Sequence, residues 1–196
     1  MSPITHLLAS WVVAVKTTKT PRDCRLVTLA GILPDADGLG LAADLVTRAF
    51  SNNPTSWYEQ YHHFLLHGAF GAVLTSACLA AFARQKWCVA LLCLVTFPLH
   101  LLCDLVGSRG PTLDDIWPIF YLGPFSKEPM WLWRGQWSLD SWQNKSFSVL
   151  LLLWVFWFAN KHGRSVVQVF SAHADAVFVE VLRGWKTKLR LALHRR

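Results

Sequence analysis

Formal charge is scarce in this sequence: 16% of its 196 residues are Asp, Glu, Lys or Arg, against roughly 25% in an ordinary soluble domain. With 53% hydrophobic residues and a mean hydropathy of +0.31, that scarcity excludes disordered, fibrous and coiled-coil chains. A membrane-associated chain is the leading class. There is no internal repeat, no low-complexity tract and no CxxC pair. The five cysteines, Cys24, Cys78, Cys88, Cys93 and Cys103, are odd in number and mostly lie in apolar runs, where a thiol packs as a small hydrophobe. All five are expected to be reduced. No basic residues precede the first apolar stretch, so a cleaved signal peptide is not expected. The net charge of +7 forms no continuous basic stripe, so nucleic acid is not an expected partner. The basic residues sit in short connections and in the last stretch, where anionic membrane lipids suit them better.

What is present reads as helices. Ile4 to Val15 is a short apolar segment ended by the basic KTTKTPRDCR, Leu26 to Leu33 is closed by Pro34 and DADGLG, and Leu41 to Phe50 precedes the turn cluster SNNPTS. Phe64 to Ala83 carries no formal charge over 20 positions, and Trp87 to Cys103 none over 17, which predicts a helical hairpin of near-spanning length. An aromatic, proline-rich loop from Ile116 to Trp137 suits a membrane interface. Ser146 to Ala159, starting as early as Trp142, is a further apolar helix. Lys161 to Arg196 mixes apolar residues with eight Lys/Arg, as an amphipathic surface helix does.

Within this apolar chain stand His6, Asp35, Asp37, His62, His63, His67, His100 and Asp104. Left unpaired in apolar surroundings they would cost several kcal/mol, so they need partners, a metal or a water-filled cavity. If the helices are laid antiparallel with the Lys/Arg connections on one side, the His and Asp residues gather at the opposite end, and Asp140 joins that side. His100 and Asp104 are spaced i,i+4 and share a helical face. His63, His162, His173 and His194 read as solvated or interfacial, and Asp114 and Asp115 as loop or helix-start residues.

In order along residues 1 to 160, the chain carries PITH with His6, GILPDAD with Asp35 and Asp37, HHFLLHG with His62 and His67, and HLLCD with His100 and Asp104. A Gly-containing turn and an aromatic PF-type loop follow. In these segments the chain resembles the YdjM family of membrane-bound metal-dependent hydrolases. The family's third segment reads His-Arg-Gly-x-Thr-His-Ser; here Arg is replaced by His63, Gly by Phe64, Thr by Leu66 and Ser by Gly68, while both aligned histidines remain. The order Asp, His, HxxxD is also similar to zinc-dependent phospholipase C, an analogy of chemistry.

The resemblance implies a centre liganded by His6, Asp35, His67, His100 and Asp104, with Asp37 and His62 as catalytic or orienting groups. Imidazole and carboxylate without cysteine suit zinc or manganese, as one or two ions. Such a centre activates water for hydrolysis without a Ser or Cys nucleophile. The expected fold is an all-α, multi-helix integral membrane bundle with a metal-lined polar cavity at one end. Residues 1–160 would form the hydrolase-like domain and 161–196 a basic amphipathic helix or tail. The expected function is hydrolysis of a phosphoester in a lipid or lipid-linked substrate at the bacterial inner membrane. By the positive-inside rule the site lies toward the outer side. Two other readings stay open: a non-catalytic membrane protein with a structural metal or ion-binding site, and a soluble helical enzyme with an unusually apolar core.

Overall fold

A computed structural model describes residues 1–193, with side chains through residue 188. Among the described residues there are helices and turns, two isolated bridges and no strand. Helix α1 (Pro3–Thr17) starts where the Ser2 hydroxyl accepts from the Thr5 N–H at 3.3 Å and Pro3 fills the first turn. Helix α2 (Pro21–Ala30) uses the same device with Thr20 and Pro21. It therefore begins and ends ahead of the apolar run Leu26 to Leu33, because the cap decides the start and Gly31 the end.

A 3-10 turn (Leu33–Leu39) carries Asp35 and Asp37 into helix α3 (Gly40–Phe50). The short helix α4 (Trp57–Tyr61) is capped by Asp44, whose carboxylate accepts from the N–H groups of Trp57 and Tyr58 at 2.7 and 2.9 Å. Helices α5 (Ala69–Ala81) and α6 (Lys86–Gly107) form the expected hairpin, with unequal arms. The aromatic loop then leads to α7 (Trp142–His162), capped by Ser141, and a 3-10 turn at Val166–Val169 precedes α8 (Ala172–Leu193). The basic stretch is thus helical from Ala172, and His194, expected to be solvated, lies outside the described residues.

The first hairpin arm is shorter than its sequence allows. Phe64 to Gly68 do not join the helix: they form the turn that carries His67, and Gly68 is held in extended backbone against the aromatic loop. A Cβ at Gly68 would meet the carbonyl oxygens of Tyr121, Gly123 and Phe120 at 2.9 to 3.0 Å, and the next N–H, of Ala69, donates to Tyr121 O at 2.7 Å. Tertiary backbone pairing overrides the apolar pattern here.

The core joins α1, α2, α6, α7 and the turn before α8 through Leu8, Trp11, Val27, Val89, Cys93, Phe158 and Val169. Trp11 sits edge-on to Trp154 and Phe158, at 5.9 and 5.6 Å between ring centroids. Polar ties fix the Lys/Arg end: the buried Asp23 carboxylate accepts from Arg84 N–H, and Arg25 Nε donates to Gln168 O, both at 2.8 Å. With that end locked, the start of α1 and the end of α6 converge at the other. All five cysteines are free.

Among the described residues, α6 is long and apolar enough to cross a membrane, and α2 with the Leu33–Phe50 segment passes as a pair bent by 55°. At 13 and 15 residues, α5 and α1 are shorter than the roughly 20 that an upright span needs. Less than half of the apolar window of α6 is buried, and Leu91 and Val95 are 66% and 55% exposed. The helix is therefore no enclosed core element.

Candidate metal centre

Four segments meet at one end of the bundle. His6 comes from the first turn and a half of α1, Asp35 and Asp37 from the Leu33–Leu39 turn, His62, His63 and His67 from the turn before α5, and His100 with Asp104 from one face of α6. His6, His67, His100 and Asp104 are buried, while the Asp35 side chain keeps 21% of its surface and His62 12%, so one side of the cluster stays open. That side is a cavity of about 480 Å³ bounded by Asp35, Tyr58, His62, His63, Asp104 and Trp117 among others.

The outer nitrogen of each central histidine is committed. His100 Nδ1 lies 2.9 Å from Gly31 O, an acceptor only, so that nitrogen carries a proton, and in the neutral ring Nε2 presents a lone pair. His67 Nδ1 lies 2.9 Å from Asp37 Oδ2, which fixes the same tautomer. The two Nε2 atoms then face each other at 3.3 Å. Asp104 Oδ2 is 2.9 Å from His100 Nε2, Asp104 Oδ1 is 3.1 Å from His6 Nε2, and Asp35 Oδ1 is 3.5 Å from His100 Nε2. Two imidazole nitrogens and two carboxylates thus converge in one volume, an arrangement of donor atoms that a divalent cation would stabilise.

Unpartnered atoms point the same way. Asp35 Oδ2, Asp104 Oδ2 and both nitrogens of His6 are buried without an aligned hydrogen bond, and leaving such groups bare costs about 1–3 kcal/mol each. His6, Asp35, His100 and Asp104 each bring one donor atom within 4.8 Å of the others, the reach of a metal. The donors are nitrogen and oxygen only, which suits a borderline or hard divalent cation. The Met1 ammonium rests against Asp104 Oδ1, and Ser108 Oγ donates to that oxygen at 2.7 Å.

Asp37 organises the supporting layer. Its carboxylate receives His62 Nδ1 and His67 Nδ1 at 2.9 Å each and the Leu66 N–H at 3.2 Å. Gly38 lets His62 approach, since a Cβ there would lie 3.3 Å from the imidazole. His62 in turn stacks on Tyr58 at 4.6 Å.

His63 departs from its expectation as a solvated or interfacial residue. It is buried, stacked on His67 at 4.4 Å and packed on Trp117 at 4.5 Å. Its backbone is left-handed, with φ of 65°, which turns the ring inward instead of continuing the helix of α4. Burial and the neighbouring His67 push its imidazole down to about 2, so it stays neutral. Burial also lowers His6 against the opposing pull of Asp104. In the sequence the i,i+4 spacing of His63 and His67 hinted at this placement, and Trp117 and Tyr58 gave no signal.

The other candidates lie elsewhere. Asp140 is exposed and pairs with Lys145 at 2.6 Å, His162 stacks on Phe158 at 4.3 Å, and His173 is exposed. No curated protein and no solved structure gave a match to this chain. The family model described as YdjM inner membrane protein matches residues 1–182, through the centre and into α8. The ordered His and Asp segments gathered at this site thus sit in a chain that belongs to the YdjM inner membrane protein family.

Proposed function

We propose that the protein is an integral membrane hydrolase whose His6, Asp35, His67, His100 and Asp104 hold one or two divalent cations, zinc or manganese, and whose substrate is a phosphoester of a lipid or lipid-linked molecule in the inner membrane. The observation that carries this reading is the pair of opposed Nε2 atoms of His67 and His100, 3.3 Å apart, between two buried carboxylates. A bound divalent cation supplies Lewis acidity toward a phosphoryl oxygen and lowers the pKa of a coordinated water toward neutrality. The remaining steps belong to the chain. Asp37 holds His62 by Nδ1, leaving Nε2 on the cavity side to take or return a proton. Asp37 also fixes the His67 ring, and Gly31 O fixes His100.

The open cavity favours catalysis over a closed structural site, which would surround its metal with protein ligands. A lipid substrate is supported by an apolar groove of about 470 Å³ along Ile4, Leu7, Leu29, Ile32 and Leu33, which shares Pro3, Asp35 and Leu39 with the polar cavity. Exposed Leu, Val and Trp along α3, α6 and α7 support embedding in a bilayer as a multi-helix bundle.

The test is metal content and turnover of the detergent-purified protein, beside His100→Ala and Asp104→Ala, on phosphoester and phospholipid substrates. Bound zinc or manganese with hydrolysis, both lost in the variants, is the expected result. Metal without turnover on any phosphoester would leave a structural or ion-binding site, and release of the protein from membranes by carbonate would sink the membrane assignment.

A further inference from the structure

We propose that His63, with His67 and Asp104, forms a second cation position beside the one bounded by His6, Asp35, His100 and Asp104, so that the centre is dinuclear with Asp104 shared. The inference rests on the hydrolase reading only in that a metal centre must exist.

Three overlapping sets of side chains lie within metal reach: His6, Asp35, His100 and Asp104; Asp37, His62 and His67; and His63, His67 and Asp104. The middle set is already satisfied by hydrogen bonds. Asp37 takes both imidazole Nδ1 atoms at 2.9 Å and the Leu66 N–H, so it supports the rings instead of holding an ion. His67 is left with Nε2 as its one free donor, and that atom lies 3.8 Å from Asp104 Oδ2. Asp104 offers its oxygens in two directions, Oδ1 toward His6 at 3.1 Å and Oδ2 toward His100 and His67. Both oxygens face the first position, and Oδ2 also faces His67, which makes Oδ2 the atom that two cations would share.

His63 completes the second position. Its side chain makes no hydrogen bond to the described residues although it is buried, and one of its nitrogens lies within 4.8 Å of donor atoms of both His67 and Asp104. Its left-handed backbone costs about 1 kcal/mol or more for a residue with a Cβ, strain that persists where a site fixes it. Stacking on His67 and a tilted contact with Trp117 hold the ring without using its nitrogens.

The experiment loads chelator-stripped protein, purified in detergent, with Mn²⁺ and reads both elemental stoichiometry and the electron paramagnetic resonance spectrum. Wild type is expected to hold two equivalents with the broadened signal of a coupled pair. His63→Asn and His63→Gly, both of which tolerate the positive φ and so protect folding, are expected to hold one equivalent with the six-line signal of an isolated ion. One equivalent in wild type, or two coupled ions retained in both variants, would overturn the proposal. Two coupled ions in wild type that fall to one in the variants, with no hydrolysis by any of the proteins, would support it while sinking the hydrolase reading.

Discussion

The imidazole of His6 lies against that of His100, with centroids 3.8 Å apart and planes inclined by 30°. The contact ties the start of α1 to the last third of α6, so one residue serves packing and donor chemistry together. His6→Phe separates the two. It keeps a stacked ring and loses both nitrogens, so metal content is expected to fall while the melting temperature of the metal-free protein changes little. His6→Ala also opens a cavity and is expected to cost on the order of 2–4 kcal/mol in addition. Elemental analysis and thermal melting in detergent read the two effects.

Asp37→Asn keeps the size of the side chain and removes the charge that holds His62 and His67. An amide oxygen accepts less strongly and its NH₂ faces a ring N–H, so both imidazoles lose their fixed orientation. Metal affinity is expected to drop about 10–100-fold with the helices intact. A competition titration against a chelating dye measures it.

Gly68→Ala places a methyl group among three backbone carbonyls that cannot swing away as a side chain could. A loss of about 1–3 kcal/mol is expected, with the turn bearing His67 displaced from the aromatic loop. The loss should appear as an earlier melt and faster proteolysis between residues 62 and 68. Unchanged stability would show that the loop does not press on this turn.

Asp140→Asn breaks only the exposed pair with Lys145, a kind of contact worth about 0–1 kcal/mol. Metal content and any hydrolysis are expected to equal those of wild type. A loss of metal would place Asp140 in the centre, against its exposure at the start of α7.

The convergence of His6, His67, His100 and Asp104 was legible in the sequence because each stands near one end of an apolar segment whose other end carries Lys or Arg. Burial cost and antiparallel packing then leave few arrangements. The inward turn of His63 was not legible, since it depends on a positive φ that a helical pattern does not encode. The early end of α2 was legible in the TPRD cap and Gly31, but the longer apolar run pointed past them. The short α5 was hidden for another reason: Phe64 to Gly68 are apolar enough for a helix and are diverted by backbone pairing with residues more than fifty positions away.

That unequal hairpin sets how deep the chemistry lies. Helix α5 has nine residues fewer than α6, a difference of about 13 Å in rise. The missing length is replaced beside the His100 end of α6 by the turn from His62 to Gly68, which sets His67 against His100 and turns His62 and His63 to the open cavity. Under the proposed lipid-phosphoester activity, a headgroup would meet the histidines short of the full length of α6, with its acyl tails still in their own leaflet.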